Sequence, residues 1–124
     1  MAVTQQLDGF NFDALTVTIA SGASLSDAAE VNAGDVVGII VPTFTSAAVT
    51  FSVSADGSTY VDLFDNAATP AEVTLPAGTH NKGYLAPLAL AAFPFLKVRS
   101  GTAALPANQG AARTVTLVVQ AVVS

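Results

Sequence analysis

The chain has 124 residues, of which 10% are charged and 52% apolar, and its formal net charge is −5. It contains no cysteine and one histidine, which excludes disulfides, thiolate zinc sites and a histidine-rich metal centre within one chain. Its four basic residues form no basic stripe, so nucleic-acid binding by phosphate neutralisation is not expected.

A length of 124 residues predicts a single domain with its own core. Because charged residues are so few, much of the surface must be uncharged. Part of that surface is expected to be buried against other subunits, since large obligate interfaces are apolar. The alternative is a monomer whose Thr, Ser and Ala surface is merely neutral.

The segment Met1 to Ala14 shows no sustained period and is interpreted as an N-terminal arm that docks on a neighbour through Phe10 and Phe12. A poorly ordered terminus or a first edge strand is the alternative. The segment lacks the basic start and apolar run of a signal peptide. No apolar run approaches the roughly 20 residues that a membrane-spanning helix needs.

The domain proper is predicted over residues 15–124. Leu15 to Ile19 alternates apolar and polar residues, as a strand does, and Ser21 to Asp35 is a polar loop with a short helical turn from Ser26. Val36 to Val41 is apolar on both faces, which predicts a central strand ended by Pro42.

The clearest pattern is a hairpin from Thr50 to Asp65, with Asp56-Gly57 at its turn. A two-residue loop would place Asp62 on the apolar face opposite Phe51, where an unpaired carboxylate is costly.

A longer loop, Ala55 to Thr59, instead pairs Val53 with Val61 and Phe51 with Leu63. In this register those four residues are core, and Asp62 points outward. Tyr60 and Phe64 lie on the less buried face.

In the second half, Glu72 to Leu75 is predicted as a short strand, and an Ala/Leu-rich run extends from Tyr84 to Phe93. In Phe95 to Ser100, Leu96 and Val98 face one way while Lys97 and Arg99 face the other. Arg113 to Val123 is the final alternating strand. About seven or eight short strands separated by turn residues predict an all-β fold, an antiparallel, jelly-roll-like β-sandwich.

No arrangement of residues predicts catalysis. His80 is the one imidazole and lies in the loop Thr79 to Gly83, where it is interpreted as a solvated surface residue. Carboxylates and an amide that could bind calcium do not follow EF-hand spacing and are attributed to capping and solvation: Asp27, Glu30, Asn32 and Asp35. The sequence therefore predicts no enzyme activity, no cofactor and no metal.

The motif Phe51-x-Val53-Ser54-x-Asp56-Gly57-x-x-Tyr60 resembles the hairpin of discoidin-like or galactose-binding-like jelly-roll modules, and Phe95 to Ser100 is similar to their late strands. This resemblance implies a sandwich. It also implies an alternative function, carbohydrate binding, with a ligand loop near Asp56, Tyr60 and His80.

A longer part of the chain, Val36 to Gln120, resembles small structural proteins of tailed bacteriophages. The matching segments are Gly38-Ile-Ile-Val-Pro42, the hairpin, Phe95 to Thr102, and Gln109 to Leu117. The resemblance implies a virion component made in the bacterial cytoplasm, with a capsid decoration or cement role, and it supplies no catalytic residues.

The resulting prediction is a non-enzymatic protein that forms a homo-oligomer, such as a trimer, and binds the major capsid protein without nucleic acid or membrane. A glycan partner belongs to the alternative function, a carbohydrate-binding module of a virion tail or fibre component. Removal of Met1 to Ala14 is predicted to abolish capsid binding and leave the sandwich folded. The predicted interface residues are Phe10, Phe12, Tyr84, Leu85, Leu88, Leu90 and Phe93.

Overall fold

The computed structural model describes residues 10–31, 35–45 and 48–122, and for residues 10, 11, 121 and 122 the backbone alone. Within these ranges two antiparallel sheets face each other, which confirms the predicted all-β sandwich. The elements are β1 (Phe10–Ile19), β2 (Ala29–Glu30), β3 (Asp35–Val41), β4 (Ala48–Ser54), β5 (Val61–Asp62), β6 (Leu75–Pro76), β7 (Lys82–Leu85), a 3₁₀ helix (Leu88–Ala92), β8 (Phe95–Ser100) and β9 (Arg113–Val122).

The first sheet has the strand order β1-β9-β3-β7, and the second has β2-β8-β4-β5, with β6 also paired to β4. β9 pairs with β1 along ten residues, from Phe10 opposite Val122 to Ile19 opposite Arg113. β3 lies between β9 and β7, as predicted for a central strand. β1 and β7 are therefore the edge strands of the first sheet.

The core lies between the two sheets and comes from the alternating residues of the long strands. In β8, Leu96 and Val98 are buried while Lys97 and Arg99 point away, as their spacing predicted. The main buried side chains are Val17, Ile19, Ile39, Val41, Phe44, Val49, Phe51, Val53, Leu90, Leu96, Val98, Val115 and Leu117.

The predicted hairpin register is confirmed. Val53 pairs with Val61, Ser52 pairs with Asp62, and the N–H of Leu63 donates to the carbonyl of Phe51 at 3.1 Å. The assignment of Val61 to the core is wrong, because its side chain is 57% exposed. β5 is a two-residue strand at the sheet edge, where the facing sheet does not cover it.

Residues Phe10 to Ala14 belong to β1, so the alternative of a first edge strand describes them better than an arm does. Residues 1–9 lie outside the described residues. Deleting Met1 to Ala14 would remove half of β1 and uncover the edge of β9, so the sandwich is no longer expected to tolerate that deletion.

The helical turn predicted from Ser26 is wrong. The Ser26 hydroxyl accepts a hydrogen bond from the N–H of Val98 at 2.9 Å and donates to the carbonyl of Asp27 at 2.7 Å. These bonds replace the local ones that would start a helix. Among the described residues, no helix is long and apolar enough to cross a bilayer.

Candidate functional site

Two leucines project from the connection between β7 and β8. Leu85 ends β7 and is 88% exposed, and Leu88 begins the 3₁₀ helix and is 91% exposed. Pro87 precedes the helix, and its carbonyl accepts a hydrogen bond from the N–H of Leu90 at 3.1 Å. Leu90 is fully buried, so it anchors the helix to the core and holds Leu88 outward. We call Leu85 and Leu88 the leucine ridge.

An apolar groove lies on each side of Leu88. One, of about 350 Å³, is lined by Val36, Val37, Leu85, Ala86, Leu88 and Ala91, with Asp35 beside them. The other, of about 420 Å³, is lined by Leu63, Phe64, Leu88, Ala89, Ala92 and Phe93, with Asp65 and Asn66 beside them. An exposed aliphatic side chain between two apolar grooves is typical of a protein–protein contact surface.

The structure places the predicted interface residues in different surroundings. Leu85 and Leu88 form the ridge, whereas Tyr84 and Phe93 are partly buried and pack against the core. Leu90 was wrong as an interface residue, because its 0% exposure makes it part of the core. The side chain of Phe10 lies outside the described residues.

Phe12 is 50% exposed and lies on the outer face of β1. It shares that sheet face with Leu85 but at the opposite edge, three strand spacings or roughly 14 Å away. Between them a row of residues crosses all four strands: Ala14, Val118, Gly38 and Leu85. The row is uncharged, so an apolar and neutral surface connects the ridge to β1.

The three residues of the predicted ligand loop are not brought together. Pro76 pairs with Ala48 at one end of β4, and Val61 pairs with Val53 near the other. Five residues of strand, roughly 16 Å, separate these two pairs. His80 comes after Pro76 in the chain, whereas Asp56 and Tyr60 lie in the loop between Val53 and Val61. The histidine and the other two residues therefore lie at opposite ends of β4.

The Asp56 carboxylate is hydrogen-bonded within its own turn. Its Oδ1 accepts hydrogen bonds from the N–H groups of Thr59 and Ser58, at 2.9 Å each, and from the hydroxyl of Ser54 at 3.0 Å. These bonds lower the pKa of the Asp56 carboxyl below its ordinary value. The residue therefore fixes the hairpin loop, as the Asp-Gly signal predicted.

Tyr60 and His80 also have structural surroundings. The ammonium of Lys97 lies 4.5 Å from the centre of the Tyr60 ring, which is cation–π geometry. His80 is partly buried, and its Nδ1 is buried with no hydrogen-bond partner among the described residues. The description of His80 as fully solvated is therefore too simple.

The carboxylates considered for calcium do not converge. In the parts of the chain that the structure describes, no group of three or more His, Cys, Asp or Glu residues is placed to hold a metal ion. Asp27 instead accepts a hydrogen bond at 2.8 Å from the N–H of Thr18. Asn32 lies outside the described residues.

An ion-pair network on the outer face of the second sheet was not predicted from the sequence. Arg99 pairs with Asp62 at 2.6 Å and with Glu72 at 3.2 Å, and Glu72 also accepts a hydrogen bond from the N–H of Ala103. Alternation along β8 placed Arg99 on this face. Its partners are Asp62 on β5 and Glu72 on the segment before β6, which are distant from Arg99 in the sequence and gave no local signal.

No family model and no curated protein matches the chain. Among solved structures, the chain is similar to one reported under the words "Bacillus endospore appendages form a novel family of disulfide-linked pili". The two are 12% identical with a TM-score of 0.49, over 100% of this chain and 97% of the other. A likeness of this degree carries no inference about function.

Proposed function

We propose that this protein is a non-enzymatic structural component of a bacteriophage virion, a decoration or cement protein that self-associates and binds the capsid shell. The observation that carries the proposal is the leucine ridge. Leu85 and Leu88 are 88% and 91% exposed, yet they stand on a strand end and a helix anchored by the buried Leu90. Burying a leucine side chain contributes about 1.5–3 kcal/mol, so a shell protein with a complementary pocket would gain from both.

The segments that resemble tailed-phage structural proteins support the same proposal. They correspond to part of β3, the β4–β5 hairpin, β8 and the start of β9, and β3, β9, β4 and β8 are the inner strands of the two sheets. The resemblance therefore concerns the strands of the sandwich itself. The ridge lies outside those segments, on the connection from β7 to β8.

In the proposed mechanism the protein binds across neighbouring shell subunits. A ligand that binds the assembled shell but not its separated subunits stabilises the shell by mass action. Self-association links several ridges, so each later contact forms at high effective concentration. Assembly would take place in the cytoplasm of the bacterial host, and the protein would then remain in the virion.

The absence of enzyme activity is part of the proposal. Asp56 is held by the backbone of its own turn, and His80 lies at the other end of β4, so this aspartate and the one imidazole are not arranged as an acid–base pair. The carbohydrate-binding alternative gains no support, because Tyr60 faces Lys97 and lies far from His80.

Rebinding to stripped capsid shells tests the ridge. Wild-type protein should cosediment with shells from which the native protein has been removed, and Leu85→Ser with Leu88→Ser should abolish cosedimentation. Leu105→Ser is the matched control, because Leu105 is 78% exposed but lies on the loop between β8 and β9. If the double variant binds shells as the wild type does, the ridge is not the contact.

A further inference from the structure

The free edge of β1 has a defined hydrogen-bonding direction. The N–H of Thr18 donates to Oδ1 of Asp27 at 2.8 Å, and the N–H of Asp27 donates to the carbonyl of Thr18 at 3.4 Å. Both backbone groups of Thr18 therefore point away from β9. Because this direction alternates along an antiparallel strand, the backbone groups of Phe12, Ala14 and Thr16 point to the same free edge.

These three residues form an open stretch of edge. Among the residues that the structure describes, none hydrogen-bonds to the N–H groups of Phe12, Ala14 or Thr16 on this side. Their side chains are exposed, Phe12 at 50%. Asp27 closes the edge at Thr18. Alternating donors and acceptors along a straight edge are complementary to another β-strand.

We propose that this edge pairs with β1 of a second copy of the chain, antiparallel, with Ala14 on a two-fold axis. Each Phe12 then lies opposite Thr16 of the other copy, and the two four-stranded sheets join into one of eight strands. The open residues are symmetric about Ala14, so the edge is complementary to itself, as a two-fold interface requires. The pairing specifies the self-association named in the proposed function, with two copies rather than three.

Two aspartates, Asp27 beside β1 and Asp13 within it, select this register. Moving the axis to Leu15 would place Phe12 opposite Thr18, whose backbone groups are already bound by Asp27. Moving it to Asp13 would place the two Asp13 carboxylates directly opposite each other, which is unfavourable. With Ala14 on the axis, Asp13 lies opposite Leu15 and the ladder ends where Asp27 covers Thr18.

The uncharged row on the outer face of the first sheet continues across such a pair. Ala14 and Val118 lie in the row that reaches Leu85 at the far edge. Pairing through β1 leaves both leucine ridges exposed, one at each end of the joined sheet. The self-interface and the shell-binding surface are thus separate, and a variant can remove one without the other.

Proline substitution at the edge tests the pairing in the full chain. The N–H of Ala14 points away from β9, so Ala14→Pro removes a free-edge donor without removing a bond to β9. Analytical ultracentrifugation of the wild type should show dimers, and Ala14→Pro should weaken dimerisation by at least about tenfold while circular dichroism shows a folded sandwich. Thr16→Pro removes the next free donor and replaces Ala14→Pro if that variant does not fold.

A cysteine crosslink tests the register independently, because the chain has no native cysteine. Residues opposite each other in a hydrogen-bonded pair have Cα atoms about 5.5 Å apart, within disulfide range. Ala14→Cys should therefore form a disulfide dimer on oxidation. Thr16→Cys, on the same strand face but roughly 13 Å from its symmetry mate, should not.

The proposal is overturned if the wild type remains monomeric, if folded Ala14→Pro and Thr16→Pro dimerise as the wild type does, or if Thr16→Cys crosslinks as efficiently as Ala14→Cys. A chain that is monomeric alone and binds only a strand of another protein would also overturn it. None of these readouts involves capsid shells, so failure of shell binding and failure of the pairing are distinguishable.

Discussion

Arg99 and Asp62 form a 2.6 Å ion pair across the outer face of the second sheet. The same guanidinium contacts Glu72 at 3.2 Å, and the side chains of Arg99 and Glu72 are only 11% and 13% exposed. The pair links β8 to the end of the hairpin, and Glu72 extends the link to the loop after β8 through Ala103. This network covers the polar face of β4 and fixes the direction in which Asp62 points.

Arg99→Met should lower the free energy of unfolding by about 3 kcal/mol, because it leaves the largely buried Glu72 carboxylate without its cationic partner. Lys97→Met, on the same strand face, removes a cation–π contact with Tyr60 and should cost less than about 1 kcal/mol. Urea denaturation of both variants measures the difference. Equal losses would show that the ion pairs contribute nothing beyond the aliphatic part of the side chain.

Gln109→Leu should destabilise the protein by about 3 kcal/mol. Gln109 is 1% exposed, its Oε1 accepts from Thr45 and Arg113, and its Nε2 donates to Ser100. Leucine removes the acceptor of Thr45 and Arg113 and the donor to the buried Ser100, so three hydrogen bonds are lost. Asn108→Leu, at the exposed neighbouring position, should change stability by no more than about 0.5 kcal/mol, and a similar loss for both variants would contradict the account.

Gly101→Ala should cost at least about 3 kcal/mol, while Gly22→Ala should cost about 1 kcal/mol. Both glycines have positive φ, +86° and +84°. A Cβ at Gly101 would lie 2.5 Å from the carbonyl oxygen of Leu105, whereas a Cβ at Gly22 meets nothing within 4 Å. Thermal unfolding of the two variants separates the backbone clash from the strain of positive φ.

The Asp56 carboxylate should stabilise the hairpin loop at pH values above 3.8, the ordinary pKa of the group, and should not do so at much lower pH. The hydrogen bonds from Thr59, Ser58 and Ser54 lower its pKa in the folded state, so the folded state binds the proton less tightly than the unfolded state does. The stabilisation is therefore present at neutral pH and is lost as the pH falls through the lowered pKa. The difference in melting temperature between wild type and Asp56→Ala should shrink over that range, and a constant difference would contradict the assignment.

Asp13→Asn should tighten the proposed β1 pairing by about two- to threefold at low salt. With Ala14 on the axis, the two Asp13 side chains are diagonal neighbours about 7–8 Å apart and repel weakly. Asp65→Asn removes the same charge from the loop after β5 and is the control. Sedimentation at low and high salt should show the gain for Asp13→Asn alone, and only at low salt.

The sequence predicts the sandwich well where one physical argument decides between two registers. Burying Asp62 opposite Phe51 is too costly, so the longer loop follows, and the observed pairing of Val53 with Val61 agrees. The alternation in β8 likewise determines which side chains enter the core. Both arguments depend on residues close together in the chain.

The remaining features depend on contacts between distant segments. Thr50 is fully buried, and its hydroxyl donates a hydrogen bond to the carbonyl of Gly101, 51 residues away. Arg99 forms its ion pair with Glu72 across 27 residues. Leu88 and Leu90 lie in the same Ala/Leu-rich run, so their residue type does not show which of them is buried. Only the placement of the 3₁₀ helix on the core shows that Leu90 is buried and Leu88 is exposed.

The most direct test of the virion proposal is the composition of particles purified by density gradient from the natural bacterial host. Quantitative mass spectrometry should find the chain in those particles at a fixed ratio to the major capsid protein, and the ratio should persist through repeated purification. If the chain stays in the lysate supernatant and is absent from purified virions, the proposed function is contradicted.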